Sequence, residues 1–401
     1  MSTHRTVILV LVASAVLLLG GSAQADWPNF RGPKHDGISA EKGLKITWEG
    51  KPPLVWERNI GSGFSSFAAA GDKVYTCGTE EMRQVLFCLA ADTGEVIWQK
   101  PIEKAYVEPV GGDGPRATPT LDDGRVYILG ALGKLMCFDA YTGKELWKTK
   151  FNNMPQWGYS GSVLIEGDLA IASGGKGNGA LVAFDKTTGK VAWRCGKDSA
   201  GYATPYPMTL EGKRYIVGFT GESVIIGESK TGNLVWREPW VTDWSVNASS
   251  PIFHDGHLFI SSGYKTGAGL FKMRKDGEKL AGDSIWKSKV LLNKFQSCIL
   301  HEGKLYTSDQ EALVCVDFMT GEEQWRKRRL KHGTVVLAED NLLLLTESGL
   351  LQVAKASPEG FDTISKARIL DGRCWTVPML HRGKLYARNL ERAVCFDLKA
   401  E

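Results

Sequence analysis

The chain has 401 residues with 43% hydrophobic and 23% charged side chains, a composition typical of globular proteins rather than disordered, collagen-like or membrane-spanning chains. Its formal net charge is only +4, which is too small an excess to indicate binding to nucleic acid or to an acidic membrane surface. The 46 glycines and 13 tryptophans favour many short strands joined by tight turns over a helical architecture.

The first 25 residues have the pattern of a secretory signal peptide. His4 and Arg5 precede an apolar run over residues 6–19, and Ala-Gln-Ala at 23–25 supplies a small-residue cleavage site. The run is short for a membrane-spanning helix, and no second run follows, although a retained N-terminal anchor is the alternative. We therefore predict export to the periplasm and a mature chain without a transmembrane span. No cysteine lies near the cleavage site, so lipid attachment is not predicted.

A turn followed by a tryptophan recurs along the rest of the chain with a period of about 45 residues. Each copy pairs one glycine with one tryptophan: Gly94 and Trp98, Gly143 and Trp147, Gly189 and Trp193, Gly232 and Trp236, Gly277 and Trp286, Gly321 and Trp325. Four strands of about six residues with their turns have this length, which is the size of one β-propeller blade. A second marker, a turn rich in glycine and acidic residues before an apolar strand, occurs eight times, at residues 71, 123, 166, 211, 255, 302, 339 and 382.

The two ends of the chain have complementary deficits. The last repeat stops at Ala393–Asp397 without an outer strand, and the first outer strand, around Trp56, has no inner strands before it. We therefore predict an all-β fold with one domain over residues 26–401. It is an eight-bladed β-propeller of four-stranded antiparallel blades, whose ring is closed by the N-terminal strand completing the C-terminal blade.

The eight cysteines are interpreted as buried small hydrophobic residues. Four occupy the same position of four different repeats, where other repeats have Ala183 and Ile226; they are Cys88, Cys137, Cys315 and Cys395. No Cys-x-x-Cys pattern occurs, although spacing alone leaves a disulfide open. His254 and His257 flank one turn without further partners, which is a weak signal for a metal site.

The repeats resemble the tryptophan-docking motifs of the pyrroloquinoline quinone (PQQ) propellers. The resemblance rests on residues 135–147, Leu-Met-Cys-Phe-Asp-Ala-Tyr-Thr-Gly-Lys-Glu-Leu-Trp, and on residues 181–193. The opening Asp-Trp-Pro-Asn-Phe-Arg-Gly-Pro at 26–33, with residues 114–120, is similar to a compact exported subgroup labelled PQQ-binding-like. The superfamily includes PQQ-dependent alcohol dehydrogenases and the BamB scaffold of outer-membrane protein assembly. The resemblance implies the fold strongly and the activity weakly, since one scaffold hosts many functions.

Residue type and repeat register also indicate candidate site residues, which fall in or just before the first strand of a repeat, the strand that lines the channel of a propeller. Eight are interpreted as cofactor-binding or ligand-binding residues: Arg116, Thr118, Trp157, Tyr159, Tyr202, Asn247, Gln296 and Trp375. Each has a structural alternative. Arg116 could pair with Asp113, and Asn247 could bond strand backbone.

Two functions remain open. The first is an exported, non-catalytic propeller that binds protein, peptide or glycan at its loop face, with outer-membrane assembly proteins among its partners. The alternative is a PQQ-dependent alcohol or sugar dehydrogenase using Ca²⁺, with Asp243 as base, Asn247 as metal ligand, Arg116 near the quinone and Trp157 stacked on it. The chain lacks the vicinal disulfide common in those dehydrogenases and is shorter than they are, so the binding function is favoured. A hydrolase has little support, because no Ser-His-Asp spacing is recognisable.

Overall fold

The computed structural model describes residues 26–310, 312–330 and 332–399. The predicted signal peptide lies outside the described residues. Among the described residues, no helix is long and apolar enough to cross a membrane.

The described chain forms eight antiparallel sheets, here called blades 1 to 8. Blade 1 contains β3 (Ala68–Ala70), β4 (Lys73–Glu80), β5 (Arg83–Ala90) and β6 (Val96–Lys104). Blade 2 contains β7 (Thr120–Asp122), β8 (Arg125–Leu129), β9 (Lys134–Asp139) and β10 (Glu145–Lys150). Blade 3 contains β11 (Leu164–Glu166), β12 (Leu169–Gly175), β13 (Gly179–Asp185) and β14 (Val191–Cys195). Blade 4 contains β15 (Tyr206–Leu210), β16 (Lys213–Phe219), β17 (Ser223–Glu228) and β18 (Leu234–Pro239).

The second half of the chain continues the pattern after a short 3₁₀ turn at Asp243–Ser245. Blade 5 contains β19 (Ile252–His254), β20 (His257–Ser262), β21 (Gly267–Asp276) and β22 (Lys279–Ser288). Blade 6 contains β23 (Ile299–His301), β24 (Lys304–Asp309), β25 (Ala312–Asp317) and β26 (Glu323–Arg328). Blade 7 contains β27 (Gly333–Ala338), β28 (Asn341–Thr346), β29 (Leu350–Lys355) and β30 (Thr363–Arg368), and blade 8 contains β31 (Met379–His381), β32 (Lys384–Arg388) and β33 (Arg392–Asp397).

The predicted eight-bladed propeller is confirmed, and the last blade is completed as expected. Strand β2 (Leu54–Asn59) pairs antiparallel with β33, so that Trp56 lies opposite Cys395. One hydrophobic cluster joins Leu343 of blade 7, Leu385 of blade 8 and Val74 of blade 1. The remaining clusters join the other neighbouring blades in turn. Blade 7 also gains a fifth, parallel strand, β1 (Ile38–Ser39), which the sequence does not predict.

The tryptophan of one blade docks on the turn of the next. Trp98 of blade 1 donates a hydrogen bond through Nε1 to the carbonyl oxygen of Ala140 in blade 2 at 3.1 Å. Its ring covers Gly143, where an added Cβ would lie 2.8 Å from the indole and where φ is +67°. Glycine is therefore required twice, by the turn conformation and by the close approach of the ring. Other tryptophans that donate to the following blade are Trp56, Trp147, Trp193, Trp286 and Trp325.

The cysteines lie in the core, as predicted. All eight belong to the described residues, and all are free and buried. In four blades the cysteine lies between a tyrosine and the docking tryptophan on neighbouring strands, as in Tyr75, Cys88 and Trp98. Burial raises the pKa of the Cys88 thiol to about 11, so this thiol is protonated at neutral pH.

The N-terminal segment 26–39, here called the plug, lies against the first strands of several blades. Trp27 forms a bridge with Ala69 of blade 1, and the carbonyl of Pro28 accepts from Leu121 of blade 2. Arg31 is 2% exposed and donates to the carbonyl of Cys298 before blade 6. Contacts with blades 1, 2, 6 and 7, the last through pairing of β1 with β27, therefore help to fix the plug.

Candidate functional site

A cavity of about 270 Å³ opens among the loops that lead into the first strand of each blade. Seven of these loops contribute side chains to it, those at residues 60–67, 105–119, 151–163, 196–205, 240–251, 289–298 and 369–378. The hairpin between β20 and β21 adds Tyr264, and the plug adds Phe30. Because the first strands surround the propeller axis, the cavity lies over the centre of the ring.

One wall of the cavity is an aromatic cluster centred on Trp375. The Trp375 ring stacks on Phe64 with centroids 5.8 Å apart and planes at 23°, and it lies 4.7 Å from Phe295. Its Nε1 donates to Oε1 of Glu347 at 3.1 Å, and the Arg373 guanidinium lies 4.4 Å from its ring centroid. These contacts fix the orientation of the indole, so the wall is a rigid apolar surface.

Trp157, Tyr202 and Tyr264 supply a second set of rings from blades 2 to 5. The Tyr202 hydroxyl accepts a hydrogen bond from the backbone N–H of Trp157 at 3.2 Å, which ties two of the lining loops together. Burial raises the pKa of Tyr202 to about 12, so the phenol is neutral under ordinary conditions. The cavity therefore has flat aromatic surfaces from separate parts of the ring.

A row of hydroxyl groups links neighbouring blades at the base of the cavity. The backbone N–H of Ser66 donates to Oγ1 of Thr118 at 3.0 Å, that of Thr118 donates to Oγ of Ser162 at 2.9 Å, and that of Ser162 donates to Oγ1 of Thr204 at 2.9 Å. Each hydroxyl therefore satisfies an N–H group that the inner strands leave free. All four residues also line the cavity.

Arg116 organises the longest lining loop. Its guanidinium donates to the carbonyl oxygens of Gly114 at 2.8 Å and Gly112 at 3.0 Å, and it lies 4.6 Å from the ring centroid of Tyr106. Its Nη2 lies 3.9 Å from Oε2 of Glu108. Burial lowers the pKa of Arg116, and the neighbouring Tyr106 and Glu108 oppose that effect. The carboxylate partner is Glu108 rather than the Asp113 considered from the sequence.

Five of the eight residues singled out in the sequence line this cavity, namely Arg116, Thr118, Trp157, Tyr202 and Trp375. The other three lie behind the lining. The Tyr159 hydroxyl donates to Asn152 O at 2.9 Å, and Gln296 Nε2 lies 3.2 Å from Nδ1 of His332. Asn247 is fully buried.

Asp243 and Asn247, considered from the sequence as base and metal ligand, lie in environments that do not match those two roles. Asn247 donates twice, to Thr220 O and Trp240 O, and its Oδ1 accepts from Thr242 and Ser262, so its amide is fully engaged by protein groups. Asp243 lies in the exposed 3₁₀ turn and does not line the cavity.

Several lining residues were missed from the sequence. Phe64, Lys294 and Phe295 belong to loops that precede first strands, so a search of every such loop for aromatic and basic residues would have found them. Tyr264 lies in a hairpin of blade 5, and Phe30 reaches the cavity from the plug. No repeat pattern marks these last two positions.

The donor set does not fit the Ca²⁺ that accompanies PQQ in the related dehydrogenases. Among the described residues, no three His, Cys, Asp or Glu side chains are grouped so as to hold a metal ion. The carboxylate that lines the cavity, Glu108, accepts N–H bonds from Val110 and Gly111 and faces Arg116. Aromatic walls would suit a flat ring, but among the described residues no group of carboxylates is placed there for a hard cation.

Comparison with known proteins finds similarity to an outer-membrane assembly factor and to a dehydrogenase. It is 29% identical over 179 residues to the outer membrane protein assembly factor BamB of Burkholderia pseudomallei, covering 44% of this chain and 43% of that protein. It is 30% identical over 192 residues to the polyvinylalcohol dehydrogenase of a Sphingopyxis species, covering 44% of this chain and 27% of that enzyme. The match therefore spans less than half the length of either curated relative.

A solved structure shows the shared fold over nearly the whole domain. The crystal structure of BamB from Moraxella catarrhalis superposes with a TM-score of 0.63 at 18% identity, covering 86% of this chain and 100% of that one. The model of the family described as outer membrane protein assembly factor BamB matches residues 82–327, which is more than half of the chain. The protein therefore belongs to this family of PQQ-like, BamB-like propellers.

Proposed function

We propose that the protein is an exported, non-catalytic propeller that binds its ligand at the loop face. The observation that carries the proposal is the cavity, which offers rigid aromatic surfaces and backbone-anchored hydroxyls, with no cluster of His, Cys, Asp or Glu side chains for a metal ion among the described residues. Apolar concave surfaces with a few oriented polar groups are typical of binding sites. Protein, peptide and glycan ligands all remain candidates, and the names of the BamB relatives favour outer-membrane assembly proteins among the partners.

The polar groups of the cavity support binding more than proton transfer. A general base needs a lone pair within hydrogen-bond reach of the substrate. Glu108 is held by two backbone N–H groups and faces Arg116, and the phenol of Tyr202 is neutral. These groups hold the loops in place, which is the requirement of a preformed binding surface.

The dehydrogenase alternative has a direct test. Purified protein is incubated with PQQ and Ca²⁺, then assayed for a change in quinone absorbance and for dye reduction with ethanol and with glucose. We expect neither signal, because the described residues offer the cation no cluster of carboxylate ligands. Dye reduction that depends on both PQQ and an alcohol or sugar would overturn the proposal. Circular dichroism of the same sample checks that the fold is intact.

Export is part of the same proposal, with residues 1–25 removed as a signal peptide. Trp27, two residues after the predicted cleavage site, is 2% exposed and bridges to blade 1, so cleavage after Ala25 would preserve the plug. We expect the full-length chain, expressed in a Gram-negative host, to appear in the periplasmic fraction with Asp26 as its first residue. N-terminal sequencing measures this. Recovery of an uncleaved chain with the membrane fraction would instead support a retained anchor.

A further inference from the structure

Three hydroxyl groups in adjacent blades retain a hydrogen-bond donor that the protein does not use. Thr118, Ser162 and Thr204 each accept a backbone N–H from the preceding blade through the side-chain oxygen. In residues 26–310, 312–330 and 332–399, none of their O–H groups has a protein acceptor. Ser66 differs, because its Oγ donates to Val377 O at 2.6 Å. A hydroxyl that already accepts from an N–H is oriented to donate to a third group.

The cavity also has one positive charge in excess. Arg116 is balanced by Glu108 and held by two carbonyls. Lys294 lines the cavity with Nζ 5.2 Å from the ring centroid of Tyr264, and within the described parts of the chain no ion pair engages it. The uncompensated ammonium favours a ligand with a negative charge, and the three free O–H groups supply hydrogen-bond donors elsewhere in the lining.

The remaining surface limits the body of the ligand. Trp157 and Trp375 line the cavity with aromatic side chains, which favour a ligand that contains a ring, and Phe30 of the plug adds a further aromatic side chain to the lining. A volume of about 270 Å³ lies just below the range of cavities that take drug-sized ligands. The space therefore suits one ring with its substituents, entering from the loop face.

We propose that the cavity binds a monocarboxylate carried on a single six-membered ring, with the carboxylate at Lys294 and the rest of the ligand facing the hydroxyls of Thr118, Ser162 and Thr204. This inference rests on the proposed binding function and specifies its ligand class. A sugar acid and an aromatic acid share this chemistry. Both offer a flat or apolar ring face and one anionic group.

The test is titration of the purified protein with glucuronate, benzoate, glucose and PQQ, followed by tryptophan fluorescence and calorimetry. Trp157 and Trp375 are the expected fluorescence reporters, since both line the cavity. We expect one of the two monocarboxylates to bind, with glucose at least about tenfold weaker. Stronger binding of glucuronate identifies a sugar acid, and stronger binding of benzoate an aromatic acid.

Substitutions in the cavity test where the carboxylate binds. K294M should weaken binding of the acid by about tenfold or more, and S162A by a smaller factor. K289M, which removes an exposed lysine outside the cavity, is the matched control and should bind normally. Equal binding of glucose, unchanged affinity in K294M, or binding of PQQ alone would overturn the ligand assignment. Those results leave the non-catalytic function standing unless dye reduction with PQQ is also observed.

Discussion

Replacement of Arg388 by methionine is expected to lower the free energy of unfolding by about 3–5 kcal/mol. The Arg388 side chain is fully buried in β32 of blade 8. It donates to the carbonyl oxygens of Gly61 at 3.0 Å, Cys77 at 2.5 Å and Leu390 at 3.0 Å. Methionine fills a similar volume but removes the donor from the buried Cys77 carbonyl and from the partly buried carbonyls of Gly61 and Leu390, and an unsatisfied buried carbonyl costs about 1–3 kcal/mol.

The position of Arg388 links this loss of unfolding free energy to the closure of the ring. Gly61 lies just after β2, the N-terminal strand that completes blade 8, while Cys77 belongs to β4 of blade 1. One guanidinium therefore joins the two ends of the ring. Burial lowers its pKa to about 9, so it remains charged at neutral pH and its hydrogen bonds are charge-assisted.

Arg392 provides a matched control on the neighbouring strand β33. Its side chain is 38% exposed and forms an ion pair with Glu57 of β2 at 2.8 Å, which also crosses the closure. An exposed pair contributes about 0–1 kcal/mol, so R392M should cost little. Urea denaturation followed by circular dichroism measures both variants, and R388K should fall between them. Equal effects of R388M and R392M would contradict a special role for the buried guanidinium.

The fold could be predicted because each repeat carries its own local signals. The spacing of Gly143 and Trp147 marks a turn and the strand after it, and the missing outer strand at the end of the chain implies the pairing with β2. The docking partner of each tryptophan could not be predicted. Trp98 covers Gly143 of the next blade, and such a contact depends on how blades pack rather than on spacing within one repeat.

The residues of the candidate site could be predicted only where their positions follow the repeat. Arg116, Thr118 and Trp375 precede first strands, and the structure brings them into one cavity. Asn247 lies in the corresponding loop of its repeat but is engaged by protein groups, because Thr242 and Ser262 of β20 supply donors to its amide oxygen. Phe30 was missed because the plug has no counterpart in the repeats, and its approach to the cavity is a long-range feature of the fold.

The plug should make stability depend on pH through His35. Burial, together with the charges of Arg31 and Arg214, lowers the pKa of His35 to about 4, and Glu166 only partly opposes this. With its amide nitrogen turned toward the imidazole, Asn29 donates to Nδ1 of His35 at 3.1 Å, which requires an unprotonated ring nitrogen. The Tyr206 ring packs edge-on at 6.4 Å. The folded protein therefore favours neutral His35.

The sign of the effect follows from linkage. In the unfolded chain histidine has a pKa of about 6.5, so between pH 6.5 and 4 the unfolded state binds a proton that the folded state does not. The stability that neutral His35 provides is present above pH 6.5 and is lost as the pH falls toward 4. We expect about 2–3 kcal/mol of this loss between pH 7 and 4.5.

Carboxylates also titrate in this range, so the measurement is the difference between the parent protein and H35Q. Urea denaturation at pH 7 and 4.5 gives the unfolding free energy of each protein. The values for the parent and for H35Q should converge as the pH falls, because glutamine cannot take up the proton. H254Q replaces an exposed histidine of blade 5 and should show the same pH dependence as the parent. If the unfolding free energies of H35Q and of the parent changed equally between pH 7 and 4.5, His35 would take up a proton as readily in the plug as in the unfolded chain.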